Sequence, residues 1–300
     1  MKKFIKCTAI LGLIFSVLGF GVAGAASCWG GRWYRDLDRY DITIPVPVRP
    51  EDHMGGDRHG MEDEGVIERW IEDKLQAKLQ RWDGEWIDGD TACFPVKEEL
   101  DLEVVRGNVT IVPGDVEKIQ IACDGLDARQ GRWIGSSMEE DRLELYISGG
   151  DEYVPELEIT IPRDTRFQDV EVSMAAGNCT IAGLHADDLE VELAAGHLEI
   201  DRGEIRDLCF QCGAGSILYT GRVDGDVKVG CAAGAVQLQL YGEENAFNYS
   251  LEGTGGSVKV GELSLDGLLL KKDIDNDAAK DIDLQCAAGN IQVDFLGEDM

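Results

Sequence analysis

The sequence predicts an all-β protein, a parallel β-solenoid with turns of about nineteen residues. Residues 171–247 repeat with this period, and apolar and polar residues alternate on both sides of a glycine in each copy. Such alternation is typical of two short, half-buried strands. Small residues precede each glycine and leave space for a tight corner. The corner glycines of this block are Gly177, Gly196, Gly215 and Gly234.

Copies of the same phrase extend the solenoid beyond the regular block. They begin at Gly107, Gly256 and Gly289, where a polar residue and an alternating strand follow the glycine. We therefore expect a solenoid domain over residues 100–300, with less regular turns at its ends, where strand edges must be covered. Each turn should stack on the next in chain order. Each corner glycine should supply the positive φ that such a corner needs.

Residues 1–27 have the composition of an export segment. Lys2, Lys3 and Lys6 precede an uncharged apolar run that ends in small residues. This order is that of a signal peptide, but the run is also long enough to remain as a transmembrane anchor. Cys28 fits a lipoprotein cleavage site, although the usual leucine before it is missing. All three alternatives stay open, and each predicts an extracytoplasmic protein at the bacterial cell surface, attached through its N-terminal segment in two of them.

Two further segments precede the solenoid. Residues 28–63 are expected to form a spacer, because prolines and then a charged, glycine-rich stretch cannot build a core. His53 and His59 lie there, but two histidines on a loop without a third ligand are weak evidence for a metal. Residues 64–99 begin with an amphipathic helix over 64–82. Its apolar stripe could contact a membrane or a partner, but the absence of a basic face favours a cap on the solenoid end.

The chain is strongly acidic. It has 28 basic and 58 acidic residues and a formal net charge of −30, which falls to −33 without the three lysines of residues 1–27. Nucleic acid and anionic lipid repel such a protein, so an electrostatic partner should be a basic peptide, a divalent ion or a positively charged protein surface. The simpler alternative is an acidic surface that only keeps the protein soluble.

Nine cysteines in an exported protein invite a disulfide interpretation, but their repeat positions favour buried free thiols. Most of those in the regular repeat stand where other turns have methionine or an aliphatic residue, so they act as small hydrophobes. Stacked parallel side chains also seldom give the dihedral angle of a disulfide. Cys93 and Cys123, near the irregular end, are the best candidates for a pair. The cysteines in aliphatic columns are Cys179, Cys212, Cys231 and Cys286.

Catalysis has to be weighed, because some β-solenoids are polysaccharide lyases or hydrolases. That chemistry needs carboxylates, or a calcium cluster with a basic residue, on the outer face. We expect no outward column to stack acids across adjacent turns, and no nucleophile beside His185 or His197. Residues 273–277 resemble the start of a calcium loop but lack its glycine and its glutamate, which favours a solvated loop. The sequence thus predicts no catalytic residues, no cofactor and no metal.

One family resemblance is specific. The passage ITIPRDTRFQDVEVSMAAGNCTIAGL, the repeated AAG or GAG corners and the closing GNIQVDF resemble the "putative adhesin" family of bacterial surface β-solenoids. The resemblance covers about two-thirds of the chain and does not account for residues 32–99. It implies a β-solenoid of unknown function behind an N-terminal signal or anchor, and it supplies no catalytic residues. Some relatives take part in envelope stress responses to cationic antimicrobial agents.

Two functions are compatible with these patterns. The first is a non-catalytic cell-surface binding or scaffold module, either adhesin-like or sensing cationic envelope-active peptides. The alternative is a carbohydrate-active solenoid enzyme of the polysaccharide lyase or hydrolase type, which only shared architecture supports. Two or three outward carboxylates with an arginine in one groove would favour the enzyme, and a featureless acidic face would favour the binding module.

Overall fold

The computed structural model describes residues 76–266 and 270–297, of which nearly all belong to strands or the turns between them. Helical structure in this part is limited to residues 76–80, Leu126–Arg129 and the 3-10 turn Glu244–Ala246. None of these helices is long and apolar enough to cross a membrane. The predicted export segment and spacer, with His53 and His59, lie outside the described residues.

The described part of the chain contains twenty strands, and most of them alternate buried and outward residues. They are β1 (Glu85–Trp86), β2 (Thr91–Phe94), β3 (Glu99–Gly114), β4 (Ile119–Ala122), β5 (Ile134–Met138), β6 (Arg142–Ser148), β7 (Glu156–Pro162), β8 (Phe167–Met174), β9 (Gly177–Ala182), β10 (His185–Leu193), β11 (His197–Cys212), β12 (Ser216–Val223), β13 (Val227–Cys231), β14 (Ala235–Leu240), β15 (Phe247–Gly253), β16 (Ser257–Val260), β17 (Leu263–Asp266), β18 (Leu270–Ile274), β19 (Lys280–Cys286) and β20 (Asn290–Phe295).

The strands form two ladders that share one hydrophobic core. Ladder 1 has the order β5, β6, β3, β8, β10, β11, β13, β19, β15, β18. Ladder 2 has the order β1, β2, β4, β7, β3, β9, β11, β12, β14, β20, β16, β17. The long strands β3 and β11 contribute one half to each ladder. Interior pairings are parallel, and antiparallel pairings occur only at the ends, so the all-β, solenoid-like architecture agrees with the sequence.

In the middle of ladder 1, residues that are nineteen apart in the sequence pair with each other on neighbouring strands. Val172 pairs with Val191, Val191 with Phe210, and Phe210 with Val229. All four side chains are buried, and the residues between them face outward. Because side chains alternate along a strand, a shift by one residue would expose the whole core face. The repeat therefore fixes which residues stack.

The turns do not stack in chain order at the two ends, so that expectation is wrong there. Strand β3 precedes β6, β7, β8 and β9 in the chain, yet it lies between β6 and β8 in ladder 1 and between β7 and β9 in ladder 2. At the other end β19 lies between β13 and β15, and β20 lies between β14 and β16, although β19 and β20 come after β15 to β18 in the chain. The last turn of the chain is therefore inserted inside the turn that precedes it. Equivalent turns offer equivalent strand edges, so the repeat specifies the register but not the order of the turns.

The corner glycines stack on one another at very short range. A Cβ atom on Gly177 would lie 1.8 Å from the carbonyl oxygen of Gly107, and one on Gly196 would lie 2.2 Å from that of Gly177. Positive φ occurs at these two corners, 123° at Gly177 and 111° at Gly196, but not at the other five. At four other corners an added Cβ atom would lie between 2.3 and 2.8 Å from the carbonyl oxygen of the neighbouring corner glycine, and this contact excludes it. These corners are Gly215, Gly234, Gly256 and Gly289.

Residues 76–80 are helical and lie within the helix predicted over 64–82. Leu79 is buried, and the backbone N–H of Ser136 in β5 donates to the carbonyl oxygen of Arg81 at 2.9 Å. The segment thus lies along β5, the edge strand of ladder 1, and the cap interpretation stays a prediction. The remaining apolar stripe of this helix lies outside the described residues.

Candidate functional site

Ladder 1 carries an aspartate at the same outward position in five neighbouring turns, eight residues before each corner glycine. Asp188 is in register with Asp169 on one side and with Asp207 on the other. Neighbours in a parallel ladder are about 4.8 Å apart, so the carboxylates form a line along the stack. We call this line the acid column. Its members are Asp169, Asp188, Asp207, Asp226 and Asp281.

The acid column overturns the expectation that no outward column stacks acids across adjacent turns. That expectation rested on the positions one and three residues after the corner glycine, and those positions face outward from ladder 2. The column lies on ladder 1, on the other side of the corner. It could have been found in the sequence as an aspartate that precedes the first apolar residue of each repeat, as in Asp169-Val170 and Asp188-Leu189.

Further acids flank the column where β6, β3, β8 and β10 lie side by side. Glu99 is in register with Asp169, and Asp101 is in register with both Glu171 and Glu144. We call this surface the acidic face. Its acids are Glu99, Asp101, Glu103, Glu144, Asp169, Glu171, Asp188, Glu190 and Glu192.

The crowding of carboxylates raises pKa values on the acidic face. Burial, at 8% exposure, raises the pKa of Asp101 to about 7, and the charges of Glu171 and Glu144 add to that effect. Arg142, 3.6 Å away, acts in the opposite direction. Burial and neighbouring acids also raise the pKa of Asp169. These carboxylates ionise against an unfavourable local potential, which an added cation would relieve.

One lysine from the N-terminal segment already occupies this face. Lys78 Nζ contacts the carboxylates of Glu103 and Glu144, the latter at 2.9 Å, and lies 5.5 Å from the centroid of the Tyr146 ring. Burial alone would lower the pKa of Lys78, but the two carboxylates outweigh it and raise the pKa. The face thus holds a cationic side chain between carboxylates of adjacent strands and beside an aromatic ring.

Arg206 repeats this arrangement on the acid column. Its guanidinium nitrogens lie 3.1 Å from Asp188 and 2.9 Å from Asp207, two carboxylates of adjacent turns. Farther along, the carboxylates also join turns, because Asp207 accepts the backbone N–H of Asp226, and Asp226 accepts that of Asp281. The acid column therefore has a structural part beyond Asp207 and a part nearer β8 where the flanking acids are concentrated.

The outward surface of ladder 2 is different, and we call it the neutral face. It consists of the side chains one, three and five residues after the corner glycines. Amides and hydroxyls predominate there and bond to their equivalents in the next turn, as Asn178 does to Asn108 at 3.0 Å and Thr220 to Gln239 at 3.1 Å. Its few charged residues include Glu199, Asp201, Lys259 and Asp294.

The neutral face also contradicts one expectation about the histidines. His197 Nδ1 lies 2.8 Å from Ser216 Oγ, and His197 Nε2 lies 3.9 Å from Glu199, because in-register pairing places Ser216 beside it. A hydroxyl, an imidazole and a carboxylate are components of nucleophilic hydrolase sites. Here the Ser216 backbone N–H bonds to Gly196 O at 2.9 Å as part of the ladder, so it is not available to an oxyanion.

Metal binding has no geometric support in the described ranges, where no group of three or more His, Cys, Asp or Glu residues is placed to hold one ion. His185 lies 3.2 Å from Glu204. In the loop over residues 273–277, for which the sequence favours a solvated loop, Asn276 donates to the carbonyl oxygen of Phe247 at 2.7 Å and lines an open pocket of about 400 Å³. The other residues of that pocket are Glu243, Glu244 and Asn245.

The described cysteines are free thiols, and those predicted to be buried are buried. Cys93 and Cys123, the candidates for a pair, are not bonded to each other. Cys93 Sγ lies 3.8 Å from a Glu85 oxygen, and Cys123 Sγ lies 3.4 Å from the Tyr153 hydroxyl. The interpretation of the repeat cysteines as small hydrophobes is confirmed in this respect.

The structure defines an all-β, solenoid-like protein with parallel ladders, one strongly acidic face and one nearly neutral face. Its sequence from residue 97 to residue 294 matches the Toastrack DUF4097 family. This match covers more than half of the chain, so the protein belongs to that family, and the family resemblance seen in the sequence is confirmed. No curated protein matches the sequence.

Solved structures of similar chains include three bacterial proteins. A "putative cell adhesion protein" from Clostridium sporogenes is 13% identical, with 71% of this chain and all of that chain covered and a TM-score of 0.35. A "putative adhesin" from Bacteroides fragilis is 14% identical, with 68% and 96% covered and a TM-score of 0.30. A "putative lipid binding protein" from Parabacteroides distasonis is 11% identical, with 73% and 100% covered and a TM-score of 0.26.

Proposed function

We propose that this protein is a non-catalytic binding module of the bacterial cell surface, and that its acidic face binds cationic peptides. The observation that carries the proposal is Lys78, which the acidic face holds between Glu103 and Glu144. A cationic side chain from another molecule would use the same chemistry on the neighbouring turns. The export-like residues 1–27 support a location outside the cytoplasm, and the net charge of −30 supports attraction of basic partners.

The geometry favours a peptide over a divalent ion. Five carboxylates spaced by about 4.8 Å form a line of about 19 Å, and they do not converge on one point. Calcium needs six to eight oxygens around a single centre. Lysine and arginine side chains along a peptide need only one or two carboxylates each, as Arg206 shows between Asp188 and Asp207. An extended or helical basic peptide can therefore follow the acid column with several contacts.

Catalysis is the less well supported alternative. Glycoside hydrolysis needs two carboxylates that flank one bond across a cleft. On the acidic face the carboxylates stand side by side on one sheet surface. The Ser216–His197 pair on the neutral face lacks an available backbone donor at the serine. A purely adhesive role, with a glycan or a host protein as the ligand, remains the competing binding function.

The test is a titration of the purified chain with a cationic antimicrobial peptide at low and at physiological salt. One variant removes three charges from the acidic face, and a matched variant removes three from the neutral face. They are Asp169→Asn/Glu171→Gln/Glu190→Gln and Glu199→Gln/Asp201→Asn/Asp294→Asn. Both variants have the same net charge, so a difference between them reports the location of the bound peptide.

We expect the acidic-face variant to weaken binding about tenfold at physiological salt, which corresponds to ~1.4 kcal/mol. The neutral-face variant should bind within about twofold of wild type, because exposed charges beyond a Debye length are largely screened. Equal weakening in both variants, or binding seen only at low salt, would reduce the interaction to non-specific attraction. In that case a screen of glycans and host proteins would test the adhesive alternative.

A further inference from the structure

Three thiols form a continuous column inside ladder 1. Cys212 is in register with Cys231, and Cys231 is in register with Cys286. Leu193 borders the column on one side and Gly253 on the other. The three side chains are buried, with 3%, 3% and 2% of their surface exposed. We call these residues the thiol column.

The sulfurs of Cys212 and Cys231 extend along the stack toward the turn that carries the next thiol, and the sulfur of Cys286 extends toward the corner at Gly256. A Cβ atom on Gly234, the corner of the Cys231 turn, would lie 2.7 Å from Cys212 Sγ. A Cβ atom on Gly289, the corner of the Cys286 turn, would lie 2.6 Å from Cys231 Sγ. The sulfurs therefore fill the space that the corner glycines leave open, and they point from one turn to the next.

The spacing of the strands brings neighbouring thiols within reach of a covalent bond, and both side chains must rotate to reach the dihedral angle that stacked parallel cysteines seldom give. In-register residues of parallel strands are about 4.8 Å apart, within the range of Cα separations of 4.4–6.8 Å that disulfides span. Cys179 provides an internal contrast, because it is equally buried but has Val109 and Leu198 beside it in its column. Cys179 thus lacks a thiol neighbour in its own column, unlike the members of the thiol column.

A bond between Cys231 and Cys286 would connect two strands that are adjacent in the ladder but distant in the sequence. These residues join β13 to β19, the place where the chain inserts a turn out of order. Between them in sequence lie β14, which completes the Cys231 turn, and β15 to β18, which form the outermost turn and its antiparallel strands. A bond from β13 to β19 would hold the inserted turn in place while the outer turn and its antiparallel strands remain attached outside it.

We propose that the thiol column is a thiol–disulfide exchange site, in which a Cys231–Cys286 disulfide locks the inserted turn and Cys212 can open it. A low-molecular-weight disulfide is the oxidant. The two thiols give up two protons and two electrons to form their S–S bond, and the oxidant is reduced to two thiols. In the opening step the Cys212 thiolate attacks Cys231 Sγ. The bond to Cys286 then breaks, and Cys286 leaves as a thiolate that takes up the proton lost by Cys212.

The acidities of the three thiols agree with these roles. A hydrogen bond from Cys231 lowers the pKa of Cys212, which favours this thiol as the attacking thiolate. The same contact raises the pKa of Cys231 to about 11, and contact with Cys231 raises the pKa of Cys286. A thiol of high pKa is a poor leaving group, so the exchange equilibrium favours the Cys231–Cys286 bond.

The test is disulfide mapping of the full-length protein after equilibration in glutathione buffers from reducing to oxidising. Free thiols are alkylated, and tryptic peptides are analysed by mass spectrometry without reduction. Cleavage at Lys259 and Lys280 places Cys231 and Cys286 on separate peptides. We expect the Cys231–Cys286 cross-link to predominate in wild type and the Cys212–Cys231 cross-link to replace it in Cys286→Ala.

Cys179→Ala is the matched control, since it removes a buried thiol outside the column and should leave the wild-type cross-link unchanged. Alkylation of all three column thiols in the oxidising buffer, or a disulfide that joins other cysteines, would overturn the proposal. If circular dichroism shows that Cys286→Ala does not fold, Cys212→Ala takes its place, and the Cys231–Cys286 bond must then form without any exchange product. The wild-type map decides in either case.

Discussion

The acidic face and the neutral face belong to the same turns and cover the same core, yet they stabilise their outward columns in opposite ways. On the neutral face, equivalent side chains bond to each other, as Asn178 does to Asn108. On the acidic face, equivalent side chains repel each other and are held by cations such as Arg206 and Lys78. Stacked like charges lower stability. A surface that lowers stability is where a binding function is expected.

The largest effect should come from the corner that the two faces share. Gly196→Ala combines a φ of 111° with a Cβ that would lie 2.2 Å from the carbonyl oxygen of Gly177. We expect a loss of about 3–4 kcal/mol in the free energy of unfolding, measured with urea. Gly242→Ala is the control, because its φ is 130° but nothing lies within 4 Å of the added carbon. It should lose only about 1 kcal/mol.

A similar loss in both glycine variants would contradict this ranking. It would mean that backbone conformation alone requires glycine at the corner, as the sequence first suggested. Since five of the seven corners have no positive φ, the stacked carbonyl oxygens should dominate. Both faces then need the intact corner in order to fold, so Gly196→Ala should lose peptide binding and core stability together.

The next largest effect is a pH dependence of the free energy of unfolding that arises on the acidic face. In the folded state the pKa of Asp101 is about 7, above the value of about 3.9 in unfolded chains. The folded protein therefore binds this proton more tightly, and its contribution to stability is lost as the pH rises from about 4 to about 7. Asp101→Asn cannot ionise, so it should be more stable than wild type by about 2 kcal/mol at pH 8 and nearly equal at pH 4.

Urea unfolding at pH 4, 6 and 8 measures this difference. Asp201→Asn, on the neutral face, is the matched control for the removal of one carboxylate. The slope of Asp101→Asn should be reduced but not removed, since burial and nearby acids also raise the pKa values of Asp169 and Asp188. An unchanged slope would show that Arg142 fully compensates the Asp101 charge.

The sequence predicts the parts of this molecule that depend on local pattern. Alternation and the nineteen-residue period yield the strands, the register and the stacked corners, because the hydrophobic effect selects one face of each strand. The order of the end turns escapes this reasoning, since strand edges of equivalent turns are interchangeable. The acid column was visible as a repeated aspartate, but it lies on the ladder whose outward positions were not compared.

Contacts between residues that are far apart in the sequence could not be predicted from it either. Lys78 reaches Glu103 and Glu144 only because the N-terminal segment lies along β5, and no pattern in the sequence specifies that placement. His197 and Ser216 could have been paired, because both occupy the position after a corner glycine in consecutive turns. Because the turns stack in register, residues at equivalent positions of consecutive turns are neighbours in space.

A smaller effect tests whether Lys78 occupies the binding face. Lys78→Met leaves Glu103 and Glu144 without their shared cation and should lower the free energy of unfolding by about 1 kcal/mol at low salt, and by less at high salt. The vacated carboxylates should then bind a cationic peptide roughly threefold more tightly, ~0.7 kcal/mol. Lys259→Met, on the neutral face, should change stability by less than about 0.5 kcal/mol and leave peptide affinity unchanged.

Weaker peptide binding by Lys78→Met would contradict competition between Lys78 and the peptide. It would indicate instead that Lys78 shapes the acidic face by holding the N-terminal segment on β5. Circular dichroism and a second variant, Lys78→Arg, distinguish the two outcomes. Arginine retains the charge and should restore wild-type stability and affinity if occupancy is what matters.

The smallest effect is expected from placing a carboxylate on the neutral face. Asn178→Asp removes one amide donor but keeps an acceptor between Asn108 and His197, both of which can donate to it. The free energy of unfolding should change by less than about 0.5 kcal/mol, and the affinity for a cationic peptide should not rise. A loss above about 1 kcal/mol would show that the amide ladder itself stabilises ladder 2. Tighter peptide binding would show that one acid on either face suffices, and that the alignment of carboxylates on the acidic face has no special role.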